Sequence, residues 1–197
     1  MSKNENQKAE IFADESIKGF QGYGLVQVIT GNGKGKTTSS LGLSIRAAGA
    51  GKKIGIVYFD KGGDTHYSER KILDQIDEID YMVTGRDRID ENGRFDFSIT
   101  DVDKSEGKRG IEIVRELFKE NYDLVILDEI NSSSDLEIVS LEEVLAIIDE
   151  KPEKLELVLT GRNVHQDIVD RAHLVTEMQL KKHYFYSGVK AREGLDY

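Results

Sequence analysis

The chain contains no cysteine, so disulfide bridges, zinc thiolates and thiol catalysis are excluded at the outset. It has only four histidines, widely spaced, and none of them falls in an H-E-x-x-H or similar metal pattern. Positive charge is also scarce: 27 Lys and Arg stand against 37 Asp and Glu, a formal net charge of -10. That balance argues against a general nucleic-acid binder, whose contact face is basic. No apolar stretch is long enough to span a bilayer. The polar, charged segment from Met1 to Gly19 lacks the apolar centre of a secretion signal. The reading is a cytoplasmic protein with no nucleic-acid or membrane partner. Proline occurs once, and there is no internal repeat or low-complexity tract. A chain of 197 residues is long enough for one well-cored domain.

What is present is concentrated between Leu25 and Thr38. An apolar run, Leu25 to Ile29, feeds a loop with glycines at 31, 33 and 35, and Lys36-Thr37-Thr38 then opens a helical pattern. Glycines let backbone N–H groups turn inward without Cβ clashes. The helix start aims unpaired N–H donors and a positive dipole end at the same point. Lys34 and Lys36 add two ammonium groups that are costly to cluster without an anion, and Thr37 adds a hydroxyl suited to magnesium. Gly31, Asn32, Gly33, Lys34, Gly35, Lys36, Thr37 and Thr38 are therefore expected to cradle a nucleotide triphosphate. The loop is a variant of G-x-x-x-x-G-K-[ST], because Thr30 stands five residues before Gly35 where glycine is usual.

The remaining segments alternate between strand and helix. After the loop, Leu41, Ile45 and Ala48 mark one face of a helix ending at Gly49-Ala-Gly51. Lys53 to Phe59 reads as a strand buried on both faces. Asp60 to Asp64 follows at its C-terminal end, where open α/β sheets bind ligands, so Asp60 and Lys61 either line a site or form a solvated turn. Glu69 to Ile76 is a short helix and Asp80 to Val83 a third strand. Gly85 to Glu106 is irregular and carries Arg86, Arg88, Arg94, Phe95 and Phe97. Arg109 to Asn121 is a helix with Ile111, Val114, Leu117 and Phe118 on one face. Leu124 to Glu129 is a buried strand that delivers Asp128 and Glu129 to a magnesium site shared with Thr37.

Ser140 to Glu143 is a capping box that opens a helix through Asp149. Leu155 to Leu159 is a strand leading into Thr160-Gly-Arg162, Asn163 to Arg171 a short helix, and Leu174 to Met178 a last strand. Gln179 to Tyr197 forms a basic, aromatic tail. The alternation predicts an α/β fold, a mostly parallel sheet with helices on both faces. Residues 1–21 read as an N-terminal arm and residues 22–197 as one domain including the tail.

Several of these stretches resemble the ATP:corrinoid adenosyltransferases of the CobA/BtuR type. They are Gly31-Asn-Gly-Lys-Gly-Lys-Thr-Thr38, Leu127-Asp-Glu-Ile-Asn131, Leu159-Thr-Gly-Arg162, Lys182-His183, Gly188-Val-Lys-Ala191 and Gly194-Leu-Asp-Tyr197. The likeness runs from about Gly22 to the C-terminus in the same order. It implies a P-loop NTPase, RecA-like architecture and an enzyme that moves the 5′-deoxyadenosyl group of ATP onto the Co(I) of a reduced corrinoid, releasing triphosphate. Co(I) is the nucleophile, so no general base is needed, and the protein positions the reactants and stabilises charge on the leaving oxygens.

By the same resemblance Lys36 and Lys34 carry that catalytic task, and Mg²⁺ rests on Thr37, Asp128 and Glu129. Arg162 stands near nucleotide or corrinoid, or is a surface arginine after a turn. His183 and Phe185 shape the corrinoid side, or the tail packs against its own domain or a neighbouring subunit. A homodimer, with an arm covering the neighbour's site, and an electron donor such as a flavoprotein are also implied. One departure stands out. The family carries aromatics just after a Thr-Gly pair, whereas here Thr84-Gly85 precedes Arg86-Asp87-Arg88 and tryptophan is absent. Either Phe95 or Phe97 takes the aromatic role after a loop rearrangement, or the corrinoid step is altered, or the substrate is an incomplete corrinoid without a lower ligand. A P-loop ATPase or kinase, and a non-catalytic ATP- or corrinoid-binding regulator, are the alternatives.

Overall fold

A computed structural model describes residues 13–63, 66–88 and 96–196. The expectations for residues 1–12, Asp64, Arg94, Phe95 and Tyr197 lie outside these segments. The strands are β1 (Val26–Thr30), β2 (Ile54–Tyr58), β3 (Ile79–Val83), β4 (Leu124–Asp128), β5 (Glu156–Thr160) and β6 (Leu174–Glu177). The helices are α1 (Lys36–Gly49), α2 (Arg70–Leu73), α3 (Asp101–Leu117), α4 (Ile130–Asp135), α5 (Leu141–Glu150) and α6 (Gln166–Val169).

The strands form a six-stranded sheet in the order β3-β2-β4-β5-β1-β6, and every pairing is parallel. The two-residue period of the strands sorts their side chains into two cores. On one face Val57, Val125 and Leu127 pack with Ile111 and Val114 of α3 and Ile147 of α5. On the other, Ile54, Ile56, Leu124 and Ile126 pack with Ala47 of α1 and Leu73 of α2. Each of the valine, leucine and isoleucine side chains here contributes roughly 1.5–3 kcal/mol by leaving water. Helices on both faces of a parallel sheet give the α/β architecture anticipated from the sequence.

Register decides where chemistry can gather. Tyr58 pairs with Asp128, Leu127 with Leu159, and Ile29 with Thr160, so β2, β4, β5 and β1 end at nearly one level. β5 lies between the strand that leads into the phosphate loop and the strand that ends in Asp128.

Three local expectations need correction. The inward face of α1 is Lys36, Ser40, Ser44 and Ala47, whereas Ile45 is exposed and Leu41 and Ala48 are only partly buried. Small hydroxyl residues sit inward because Ser40 and Ser44 donate to the carbonyls of Thr37 and Leu41 at 2.8 and 2.7 Å, which satisfies them without a distant partner. α3 begins at Asp101, eight residues before the expected Arg109, and ends at Leu117. Its start is a capping box in which the Asp103 carboxylate accepts from Thr100 N–H and Oγ1, both at 2.7 Å. Two glycines had disguised this first half of the helix, since glycine weakens a helical pattern. They are required by packing: a Cβ at Gly110 would lie 2.5 Å from Phe59 Cε1, and one at Gly107 2.6 Å from the Ile138 carbonyl. Finally, α4 follows β4 directly, and the sequence pattern did not foretell it.

Candidate nucleotide site

The phosphate loop spans the end of β1 and the start of α1. Gly35 is the N-cap of α1 with a φ of 116° and offers no side chain to the helix end, so that end is left open toward the loop. Lys36 is buried, and its ammonium donates to the carbonyls of Gly31 at 2.8 Å and Gly33 at 3.0 Å. Burial lowers its proton affinity first of all, Arg162 and Lys61 push the same way, and Glu129 and Asp128 push back. Arg162 is therefore within electrostatic reach of the loop, although its side chain is exposed. Asn32, Lys34 and Thr38 are exposed around the same opening.

The loop is braced from below and from the side. The Gly33 N–H donates to the carbonyl of Met178, just past β6, at 2.6 Å. A Cβ on residue 33 would stand 2.6 Å from that same oxygen, so the glycine is demanded by close backbone approach. Lys34 reaches the C-terminal tail, donating to the Leu195 carbonyl at 2.6 Å and to Asp196 Oδ1 at 2.9 Å. Asp196 also accepts from the Tyr184 hydroxyl and from Arg192. Its Tyr184 and Lys34 bonds hold the carboxyl well below the usual carboxylate range.

Opposite the loop lies a compact cluster of oxygens around one ammonium. Thr37 Oγ1 donates to Asp128 Oδ2 at 3.2 Å. Lys61 Nζ bonds the same Oδ2, donates to Thr37 Oγ1 at 3.1 Å and lies 3.9 Å from Glu129 Oε1. Burial alone would lower the Lys61 pKa, but Asp128 and Glu129 outweigh it and the net shift is upward. Asp128 is fully buried, and its other oxygen accepts from Thr160 Oγ1 at 2.6 Å. Thr160 Oγ1 in turn accepts from the Glu129 N–H at 3.0 Å. Glu129 has a φ of 62°, uncommon for a residue with a side chain, and its Oε2 accepts from Ser132 at 2.6 Å.

The structure thus brings together most of the residues expected from the sequence: the loop from Gly31 to Thr38, the Asp128-Glu129 pair and, at the rim, Arg162. Lys61 joins them and is not a solvated turn. Asp60, its neighbour, faces away from the cluster and accepts from Arg88 at 2.7 Å. Thr160 and Ser132 were missed as site residues. The signal for Thr160 was its place at the end of β5, level with Asp128 and adjacent to it in the sheet.

Among the described residues no group of three or more His, Asp or Glu side chains forms a metal cage. A magnesium ion nevertheless fits the donor set here. Mg²⁺ is usually held by one or two carboxylates and substrate phosphates, with waters completing its shell. Thr37 Oγ1, Asp128 and Glu129 already converge on a single cationic nitrogen, that of Lys61.

The arginines that occupy the place of the expected aromatics are turned into the protein. Arg88 donates to Asp60, to Asp103 at 3.0 Å and to the carbonyls of Asp96 and Ser98. Arg86 donates to Asp103 at 3.0 Å, Asp96 at 2.8 Å and the Ser98 carbonyl. They staple the long segment to the start of α3, and next to that staple Phe97 is 83% exposed. In the tail His183 caps the turn Tyr184–Ser187 by accepting from Phe185 N–H at 3.1 Å, while the Phe185 ring is itself exposed. No helix among the described residues is long and apolar enough to cross a membrane.

Comparison with known proteins agrees with this geometry. The profile of the family described as ATP:corrinoid adenosyltransferase BtuR/CobO/CobP matches residues 22–197. The corrinoid adenosyltransferase of Escherichia coli K12 is 37% identical over 175 residues, covering 88% of this chain and 86% of its own. The corrinoid adenosyltransferase CobA of Salmonella typhimurium LT2 shows the same identity and coverage, 37% with 88% and 86%. That of Pseudomonas aeruginosa is 33% identical, with 88% of this chain and 84% of its own covered. Among solved structures, a KaiC-like protein from Pyrococcus horikoshii OT3 superposes with a TM-score of 0.51 at 15% identity. That match covers 82% of this chain and 75% of the other, a likeness of fold alone.

Proposed function

This chain belongs to the family of ATP:corrinoid adenosyltransferases, and from that premise we propose that it transfers the 5′-deoxyadenosyl group of ATP to the Co(I) of a reduced corrinoid, in adenosylcobalamin biosynthesis or salvage. The electron pair of Co(I) forms the bond to C5′, and the C5′–O5′ bond breaks with its pair leaving on triphosphate. The observation that carries the reading is the convergence of Lys36, Thr37, Lys61 and Asp128 at the C-terminal end of the sheet. Such a site holds a polyphosphate and stabilises charge on it. The step requires no proton transfer, so the protein's work is orientation and electrostatics.

In this reading Gly31 to Thr38 cradle the triphosphate, and Lys36 and Lys34 meet the charge that develops on the leaving oxygens. Thr37, Asp128 and Glu129 hold Mg²⁺, which when bound neutralises phosphate charge. Thr160 is the positioning residue behind Asp128. Arg162 stands at the rim on the nucleotide or corrinoid side. Phe97 is the described aromatic that can face the corrinoid, since the Arg86 and Arg88 staple presents it outward. A cytoplasmic homodimer, an electron donor such as a flavoprotein, and a division into an arm (1–21) and a domain (22–197) complete the proposal.

The test is incubation with ATP, Mg²⁺ and chemically reduced corrinoid, followed by optical spectra and phosphate analysis. Formation of a Co–C bond with one triphosphate per turnover is expected. ADP with inorganic phosphate would instead identify a β–γ-cleaving ATPase or kinase. Binding of both substrates without a Co–C bond would identify a regulator.

A further inference from the structure

Lys61 is engaged by every residue assigned to the metal, and it is held for that purpose. Its backbone is fixed on both sides. The Lys61 N–H donates to the Thr84 carbonyl at 2.9 Å, and its carbonyl accepts from Arg70 Nη2 at 2.8 Å. Arg70 also donates to the Gly63 carbonyl at 2.6 Å, which locks the turn behind it. Only the side chain is left to move, and a lysine ammonium on a four-carbon stem with three rotatable donors is suited to a change of partner. It lies 5.6 Å from the centroid of the buried Tyr58 ring, so its cationic end has an aromatic wall on one side and the three oxygen ligands on the other.

Charge supplies the reason. Asp128 is completely buried, and an unpaired carboxylate there would be strongly destabilising. The oxygens that suit a divalent cation therefore need a cation when no nucleotide is present, and Lys61 is the group that meets them.

We propose that the Lys61 ammonium is the resident counter-ion of the magnesium position. It excludes the metal from the nucleotide-free protein and gives up its seat only when Mg²⁺ arrives together with ATP, whose phosphates then take Lys61 as a ligand. Metal loading is in this way made contingent on nucleotide. The inference rests on the assignment of Thr37, Asp128 and Glu129 to Mg²⁺.

The test is calorimetric titration of the nucleotide-free full chain with MgCl₂ alone, in wild type and in Lys61→Met, with thermal unfolding recorded in parallel. Lys61→Met is expected to bind Mg²⁺ at least about tenfold more tightly than wild type, the factor of the weakest couplings measured between close charge pairs. Its melting temperature is expected to fall without metal and to recover in Mg²⁺ alone, while that of wild type moves little until ATP is added. Equal Mg²⁺ affinity in the two proteins, or a Lys61→Met melting point that Mg²⁺ leaves unrestored, overturns the proposal and leaves Lys61 a structural ion pair. Lys61→Gln, which keeps polarity and most of the length, serves if the methionine variant does not fold. Wild type titrated with ATP in the presence and absence of Mg²⁺ tests the metal assignment separately. Loss of any Mg²⁺ effect there refutes that assignment, whereas a normal effect with failure of the first titration refutes the role of Lys61 alone.

Discussion

Thr160→Val removes one oxygen from the centre of the sheet and replaces it with a methyl group of similar volume. The lost hydroxyl donates to Asp128 Oδ1 at 2.6 Å and accepts from the Glu129 N–H at 3.0 Å, and the residue is fully buried. A hydrogen bond to a charged group is worth about 1.5–3 kcal/mol, and a donor left without a partner costs about 1–3 kcal/mol. No cavity is created to add to these terms, so the total is roughly 3–5 kcal/mol. For a chain of this length each kcal/mol moves the melting temperature by about 2–4 °C, which places the variant roughly 10 °C below wild type. Thermal and urea unfolding of Thr160→Val beside Thr160→Ser measure this directly. The serine variant keeps the hydroxyl and loses only a methyl group, at about 1 kcal/mol. A valine variant within about 0.5 kcal/mol of wild type, or one no worse than serine, would refute the reasoning that this hydroxyl holds the two acids in place. ATP affinity in Mg²⁺ is expected to fall in the valine variant and to survive in the serine one.

Lys36→Ala is expected to abolish productive ATP binding, and normal adenosyl transfer by that variant would show that the loop is not the triphosphate site. Glu129→Gln is expected to shift the Mg²⁺ midpoint of the transfer reaction upward by about tenfold or more; an unchanged titration would remove Glu129 from the metal's surroundings. At acid pH the staple at Arg86 and Arg88 is expected to loosen. Hydrogen bonds from Ser98 and Arg86 depress Asp96 to about 2. For Asp103, burial is outweighed by Thr100 and both arginines, and the shift is downward. A depressed carboxylate contributes stability above its ordinary pKa and loses it as pH falls through the depressed one, so the urea midpoint should drop between about pH 4 and pH 2. Asp60, raised chiefly by burial, works in the opposite sense and makes the net fall smaller. Asp103→Asn should flatten this dependence, and an unaltered slope would exclude the staple as its source.

The fold was legible where burial and period coincide. β2, β4 and β5 are buried along their whole length with apolar residues at their centres because both sheet faces are covered, and such runs read plainly as interior strands. The phosphate loop and the two acids were legible because their residue types have few other uses in that order. What escaped was governed by tertiary contact. The early start of α3 was hidden by Gly107 and Gly110, chosen for Ile138 and Phe59 and not for helix propensity. The inward stripe of α1 runs through Ser40 and Ser44, which bond their own helix, so hydrophobic spacing found only its partly buried edge, Leu41 and Ala48. Thr160 enters the site through a sheet neighbour distant in sequence, whereas Lys61, just past the C-terminal end of β2, was one of two readings the sequence offered. The arginines at 86 and 88 stand where the resemblance leads to aromatics, and only their partners Asp60, Asp96 and Asp103 show them to be fasteners.

The placement of β1 between β5 and β6 has a consequence for how the protein is made. Both neighbours of this strand, β5 (Glu156–Thr160) and β6 (Leu174–Glu177), are translated long after β1 (Val26–Thr30). At about 5–20 residues per second, the strand waits on the order of ten seconds for them. Until β6 emerges, the Met178 carbonyl that fixes Gly33 does not exist, and the phosphate loop has no floor. A nascent chain or an early-terminated product therefore carries the whole nucleotide motif without the shape that makes it a pocket. The phosphate loop gains its floor only once β6 has been made, so formation of the pocket reports that the chain has been read through Met178.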